Sequence, residues 1–442
     1  MARVHRAQHR KERPPLPVEW KELRRATLGP EADALFEALD APASVSIRVH
    51  PHRSGAPAGT PVPWCASGRY LEERPVFTLD PFLHAGAYYV QEASAMMLEP
   101  AMNALDLVGR NLLALDLCAA PGGKSTHLLD LLGPSALVVC NEVEGRRRQA
   151  LQHNLWKWGS GRAVLTGSAT ERFARSAGRF DLVLVDAPCS GEGLMRREGI
   201  ARSQWSPGLV RSCRTAQRDI LRDAWACLRP GGALIYATCT FAPEEDEDQL
   251  QWAFEQLGAI PRTISYDPTW GTMERGHGLL SLPHRLQGEG SYFGALRKPG
   301  PTHGSDLGAG DRIEVQDGVA NAWILGSHRD IVDALRRDVD VHLAGTPLFT
   351  TDRRGRQPHP AAAFDPIAAD RMIATFDAVR CELDTADALR YLRGEALRDQ
   401  AAKGWGLMSH QGQGLGWAKG VAGRWNNHYP TGWRIRMHHQ GA

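Results

Sequence analysis

The sequence predicts an α/β protein built on a doubly wound, mostly parallel sheet, with a smaller lobe on either side of it. Three observations lead there. The chain has 442 residues, too many for one ordinary core. From Asn111 to about Arg297, short β-rich apolar runs alternate with longer segments of helical periodicity, the pattern of a parallel sheet covered on both faces. Turns rich in small, acidic or thiol residues follow these runs, at the strand ends where such sheets gather their ligands.

In chain order, strands are expected at 112–118, 136–141, 163–166, 181–186 and 232–238, with another near 291–297. Helices are expected at roughly 123–132, 144–157, 214–228 and 244–257, each with apolar residues at helical spacing. Residues 1–100 combine a basic start, a helix-like stretch near 30–40 and a strand-like run at 44–50; they are expected to form an accessory lobe that contacts nucleic acid. The central domain is expected over 101–298. Gly, Pro and Ser crowd 299–312, the composition of a linker, and a new pattern runs from Ile313 to Ala442.

Composition excludes several classes. A hydrophobic share of 43% with 23% charged residues fits a soluble globular chain, and no uninterrupted apolar run could cross a bilayer. The basic N-terminus lacks the apolar stretch of a secretory signal, so a cytoplasmic location is expected. The eight cysteines show neither CxxC nor Cys/His ligand spacing, which speaks against a structural zinc or a disulfide framework; no motif points to a metal. A net charge of +2 decides little, since basic residues can concentrate on one face. From Gln400 onward Lys403, Lys419, Arg424, Arg434 and Arg436 occur without an acidic residue, interleaved with Trp405, Trp417, Trp425 and Trp433. Cations beside aromatic faces suit RNA, although such tails are also commonly solvated loops over a small core.

The turn Cys118-Ala119-Ala120-Pro121-Gly122-Gly123-Lys124 lets a ligand approach the backbone, and the helix start after it offers unpaired N–H groups. Gly123-Lys124-Ser125 resembles the end of a phosphate-cradling loop, but the required first glycine falls on Cys118, so triphosphate binding is not expected. Glu142, at the end of the next strand, is spaced as an acceptor for a ribose hydroxyl pair; its bland alternative is a solvated carboxylate before a helix.

Two thiol motifs follow the fourth and fifth strands: Asp186-Ala187-Pro188-Cys189 and Thr238-Cys239-Thr240. Carbon 5 of cytosine is a poor nucleophile, but a thiolate added to carbon 6 turns the ring into an enamine that can attack a sulfonium methyl group. A cysteine at a strand end, beside a bound cation, can supply that thiolate. Asp186 can hydrogen-bond the exocyclic amine and favour protonation at ring nitrogen 3, or it can simply cap a turn. A second thiol helps the proton on carbon 5 leave and the thioether depart, a step for which Cys189 is placed. Cys140 and Cys227 read as packing residues.

These residues together resemble the Nop/Sun family of RNA cytosine-5 methyltransferases. The resemblance rests on Cys118 to Lys124, Asp186 to Cys189, and Thr238-Cys239-Thr240-Phe241 with Pro243-Glu244-Glu245. Tyr89 to Ser94 and Pro283-His284 with Gly288 to Phe293 agree with it, so it covers about 40–298. It implies a class I, Rossmann-like methyltransferase domain using S-adenosyl-L-methionine, with Cys239 as nucleophile and Cys189 assisting release. It also implies cofactor contacts from the 118–124 loop, Glu142 and Asp186. The family's aspartate after the third strand is missing from Thr166-Gly167-Ser168-Ala169-Thr170, and Ser168 or the backbone is expected in its place. Beyond 313, Tyr391 to Glu395, Gly414 to Trp417 and Asn427 to Pro430 are similar to the bacterial RsmF-like branch, which implies a PUA-like module, a 16S ribosomal RNA or small-subunit substrate and no DNA. A monomer is expected. The same chemistry on transfer RNA, and a non-catalytic RNA-binding assembly factor, stand as alternatives; binding alone needs neither thiol.

Overall fold

The computed structural model describes residues 13–175, 178–302, 307–317, 320–353 and 355–437. Most of the basic N-terminal start and part of the expected linker, 303–306, lie outside the described residues.

The apolar runs of the central region form one ten-stranded sheet. Its strands are β1 (Leu113–Asp116), β2 (Leu137–Asn141), β3 (Ala163–Thr166), β4 (Phe180–Asp186), β5 (Leu228–Thr238), β6 (Ile260–Arg262), β7 (Met273–Arg275), β8 (Gly278–Ser281), β9 (Ser291–Arg297) and β10 (Val341–Ala344). The order is β7-β8-β9-β5-β4-β1-β2-β3-β10, and β6 pairs with β9. Pairings among β1 to β5 are parallel, whereas β9 runs antiparallel to β5. Every residue of β1, β2 and β3 is buried, as expected where helices cover both faces and leave no polar side to the strands. Large apolar clusters lie on the two sides, one including Leu115, Val139, Tyr236 and Trp225, the other Ala114, Val138, Leu184 and Phe293.

The covering helices include Gly123–Leu131, Gly145–Trp158, Pro207–Cys227 and Glu247–Leu257. The third starts well before the expected 214: Ser206 accepts the N–H of Leu209 as N-cap and Pro207 takes the first helical position, where its missing donor costs nothing.

Ahead of the sheet, helices Val18–Leu28 and Ala32–Asp40 pack Trp20, Leu35 and Leu39 into the same core as Tyr236 and Phe241. A four-stranded antiparallel sheet holds Thr60–Val62, Cys65–Leu71, Val45–Val49 and Tyr88–Val90 in that order. The C-terminal segment first forms a four-stranded sheet, Arg312–Asp317, Ala320–Leu325, Thr346–Asp352 and Gly355–Pro358. It also supplies β10, which pairs antiparallel with β3 through Val341 opposite Thr166 and Ala344 opposite Val164. The stretch after 313 is therefore continuous with the central sheet. A five-stranded sheet follows, in the order Val379–Glu382, Gly404–His410, Gln413–Val421, Arg424–Asn427, Leu397–Arg398.

The tryptophans of this last sheet correct the expectation of open aromatic faces. Trp405, Trp417 and Trp425 are buried in the cores, and the indole N–H groups of Trp417 and Trp425 are used internally, on His359 O at 3.1 Å and Asp399 Oδ2 at 2.8 Å. Trp433 is half-buried and stacks on His153 at a centroid distance of 4.5 Å. In a small module the largest apolar side chains are needed for the core itself. The cations Lys403, Lys419, Arg424 and Arg436 stay exposed.

Candidate active site

The strand order reverses between β4 and β1, and the crevice at their carboxyl ends receives the predicted loops. After β1, the turn 118–124 swings into the helix that begins at Gly123. Gly122 sits there at φ +110°, in the left-handed region, and a Cβ on it would lie 3.0 Å from Leu151 Cδ1. Gly122→Ala is expected to lower stability by about 1–2 kcal/mol and to weaken cofactor binding, read from thermal unfolding with and without cofactor.

Asn141 ties three of these loops together. Its amide donates to Leu117 O at 3.2 Å and Ser168 O at 2.9 Å, while its carbonyl accepts from Thr166 Oγ1 and the Ser168 N–H. Its backbone carbonyl accepts from Ala119 at 2.9 Å. Glu142 follows at the crevice, accepting the Glu144 N–H at 2.9 Å and pairing with Arg147 at 3.3 Å. Arg147 also donates to Ala120 O, so the second strand end braces the first turn. Ser168 is placed differently from the other predicted residues: its hydroxyl accepts the Asp340 N–H at 2.8 Å, joining the third loop to the segment before β10.

Lys124 donates to Asp186 Oδ1 at 2.7 Å, linking the turn to the end of β4. Burial would lower the lysine pKa, but the Asp186 carboxylate more than offsets it, so Lys124 is held above its ordinary value as a cation. Asp116, the last residue of β1, is fully buried; burial pushes its pKa up to about 7 despite a 2.6 Å hydrogen bond from Ser125. Its other carboxylate oxygen, Oδ1, is buried and has no close hydrogen-bond partner among the described residues, an acceptor suited to an ammonium group. The sequence reading passed over Asp116, although an acidic residue closing the strand before a small-residue turn was a visible signal.

Cys189 and Cys239 meet across the ends of β4 and β5, Sγ to Sγ 3.4 Å, and the Cys239 N–H points at Cys189 Sγ at 3.4 Å. The hydrogen bond to Cys239 and burial hold the Cys189 thiol well above its ordinary pKa. Cys118 is also pushed up, by burial first and the charge of Asp116 next. Cys140 and Cys227 are buried.

A second tier of residues, to which the sequence assigned no role, fixes the two thiol loops. Glu245 Oε2 accepts the Ser190 N–H and the Gln217 amide, each at 2.9 Å, and Gln217 also donates to Pro188 O. Gly193 N–H donates to Cys239 O at 2.8 Å. From the N-terminal lobe, Arg24 bonds the Phe241 carbonyl and lies 3.8 Å from Glu192, which accepts the Phe241 N–H. Burial raises the Glu245 pKa from near 4.5 to about 7. Between those values the folded chain holds a proton that the unfolded chain has released, so this group costs stability as pH rises through that window. Glu245→Gln is expected to flatten the fall in Tm between pH 4.5 and 7, checked by thermal unfolding across that range.

Away from the crevice, Cys65, Glu99 and His127 bring their ligand atoms within 4.8 Å of one another, a grouping from three distant segments that sequence spacing could not reveal. His127 Nε2 faces Glu99 Oε2 at 3.6 Å within it.

The crevice so built offers small residues at a helix start, a buried acceptor at Asp116 and a carboxylate at Glu142, the donor set for a nucleoside that carries an amino-acid group. Comparison with known proteins agrees with this architecture. Residues 102–297 match the model of the 16S rRNA methyltransferase RsmB/F family, 16–93 that of the N-terminal domain of 16S rRNA methyltransferase RsmF, and 378–435 that of the methyltransferase RsmF PUA domain. Ribosomal RNA small subunit methyltransferase F of Erwinia tasmaniensis is 30% identical over 415 residues, covering 84% of each chain; the protein of that name from Escherichia coli strain SE11 is 28% identical over 413 residues with the same coverage. Among solved structures, a methyltransferase homolog from Pyrococcus horikoshii superposes with a TM-score of 0.53 at 25% identity, over 61% of this chain and 91% of that one. NSun6 from the same organism, solved with SFG, gives 0.56 at 18% identity, over 64% and 98%, a likeness of fold. With a Rossmann-like sheet, a matching N-terminal domain and a C-terminal PUA domain on one chain, the protein belongs to the ribosomal RNA small subunit methyltransferase F family.

Proposed function

We propose that the protein methylates carbon 5 of a cytosine in 16S ribosomal RNA, with Cys239 as nucleophile and S-adenosyl-L-methionine as methyl donor. The observation that carries this reading is the pair of thiols 3.4 Å apart at the ends of adjacent strands, beside the Lys124–Asp186 pair. A methyltransferase that acts on nitrogen or oxygen has no need of two thiols there.

When bound, the cofactor supplies an electrophilic methyl group on a sulfonium. Asp116 would hold its ammonium, Glu142 its ribose hydroxyls, and the backbone of 118–124 its amino-acid portion; Ser168 contributes through the third loop. Cys239 Sγ bonds to carbon 6 of the base, and Asp186 hydrogen-bonds the exocyclic amine and favours a proton on ring nitrogen 3. Lys124 keeps Asp186 oriented. After transfer, loss of the proton from carbon 5 to a base re-forms the ring double bond as the Cys239–carbon 6 bond breaks, and Cys189 assists this release. Residues 1–100 and 313–442 serve as RNA-contacting lobes around the catalytic region 101–298, and the enzyme works as a cytoplasmic monomer.

Bisulfite sequencing of RNA from cells with and without the gene tests the proposal. A 16S cytosine that loses protection supports it. Loss only in transfer RNA would keep the chemistry and overturn the target; no loss anywhere would favour an assembly factor without turnover.

A further inference from the structure

At the edge of the sheet opposite the cysteines, where the parallel strands begin, a cavity of about 210 Å³ is lined by four arginines from separate segments. Arg110 precedes β1, Arg229 lies near the start of β5, Arg262 closes β6 and Arg297 closes β9. Asp106 and Asp181 also line it, so four cations face two carboxylates. Asp181 is engaged by Arg229 and by the Leu113 N–H at 2.8 Å. Arg297 is anchored on the carbonyls of Leu105 and Gly231. The guanidinium groups of Arg110 and Arg262 are exposed and have no hydrogen-bond or ion-pair partner among the described residues. Burial and the charge of Arg110 lower the pKa of Arg229; burial and the charge of Arg262 lower that of Arg297. Like charges gathered so closely are relieved by an anion, and planar guanidinium forks match phosphate oxygens. The cavity has room for a phosphate group with water around it, and Arg110 and Arg262 stand exposed at its rim.

We propose that this pocket binds a backbone phosphate of the substrate RNA, with Arg110 and Arg262 as the contacting cations. The proposal rests on RNA being the substrate. The six residues of β4 from Asp181 to Asp186, five steps along the strand, alone span roughly 17 Å, so the phosphate belongs to a part of the RNA remote from the target base. The pocket thus recognises a large folded RNA that reaches around the domain.

The test is equilibrium binding of the full chain to 16S ribosomal RNA over a salt series, comparing wild type with the Arg110→Ala/Arg262→Ala double variant. Affinity is expected to fall roughly tenfold at low salt, and the slope of log affinity against log salt to shrink by about 0.7 per lost phosphate contact. The Arg110→Lys/Arg262→Lys variant is expected to recover most of the slope. Tm is expected not to fall and cofactor affinity to stay put, because neither guanidinium bonds within the fold among the described residues and each stands beside like charge. Unchanged RNA affinity and slope would overturn the proposal. So would an unchanged RNA affinity accompanied by lost binding of inorganic phosphate, which would make the pocket a free-anion site. Failure of the wild-type chain to bind RNA at all would instead strike the substrate assignment.

Discussion

Replacing Cys239 by alanine is expected to abolish methyl transfer to RNA, by on the order of 10⁴-fold or more, while cofactor affinity stays within about twofold. The separation follows from the geometry. The backbone N–H and carbonyl of Cys239 hold the two loops together through Cys189 and Gly193, and alanine keeps both groups. Only the sulfur is lost, and in the proposed reaction it acts on the base. Labelled-methyl transfer and calorimetric cofactor titration read the two quantities separately. Full transfer by the variant would remove the covalent mechanism, whereas loss of cofactor binding would show that the side chain shapes the crevice.

Replacing Cys189 by alanine is expected to have the opposite signature: the enzyme reaches the covalent stage and stays there, so that protein runs joined to RNA in denaturing gels. Cys189 lies 3.4 Å from the sulfur that forms the bond, close enough to act on the same ring. Its thiol holds its proton in the free enzyme because Cys239 hydrogen-bonds to it and burial disfavours the charge. Once Cys239 is joined to the base, that hydrogen bond is changed, and the second sulfur becomes available for the release step. A variant that turns over without a trapped adduct would assign release to another group.

Much of the architecture was legible because it depends on local pattern. The run 163–166 is β3 as expected, and the run around 112–118 is trimmed to Leu113–Asp116 because the turn begins at Leu117. The thiol motifs were legible because their chemistry needs particular atoms at strand ends, and the structure brings Cys189 and Cys239 together. What escaped is long-range. Arg24 and Gln217 secure the thiol loops from distant segments, and nothing in their own neighbourhoods marks them, while Glu245, visible in Pro243-Glu244-Glu245, shows its role only where the Ser190 loop meets it. Asn141 reads as an ordinary polar residue before Glu142 until three loops are seen to converge on it. The tryptophans misled for a different reason: an aromatic residue in a basic tail has the same composition whether it faces solvent or fills a core, and the strands here turn Trp405, Trp417 and Trp425 inward.

The pairing of β10 with β3 has a consequence for how the chain matures. During synthesis β3 leaves the ribosome as an unpaired edge, and the strand that covers it follows only after the rest of the catalytic segment. At ordinary elongation rates that interval is on the order of ten seconds or more, during which an apolar, hydrogen-bond-hungry border is available to other nascent chains. A gene truncated before Val341 would make that interval permanent. Poor yield from such a truncation would then reflect an uncovered border, and RNA recognition is better dissected by cutting beyond the strands that complete the neighbouring sheet, between Pro358 and the module that begins at Val379.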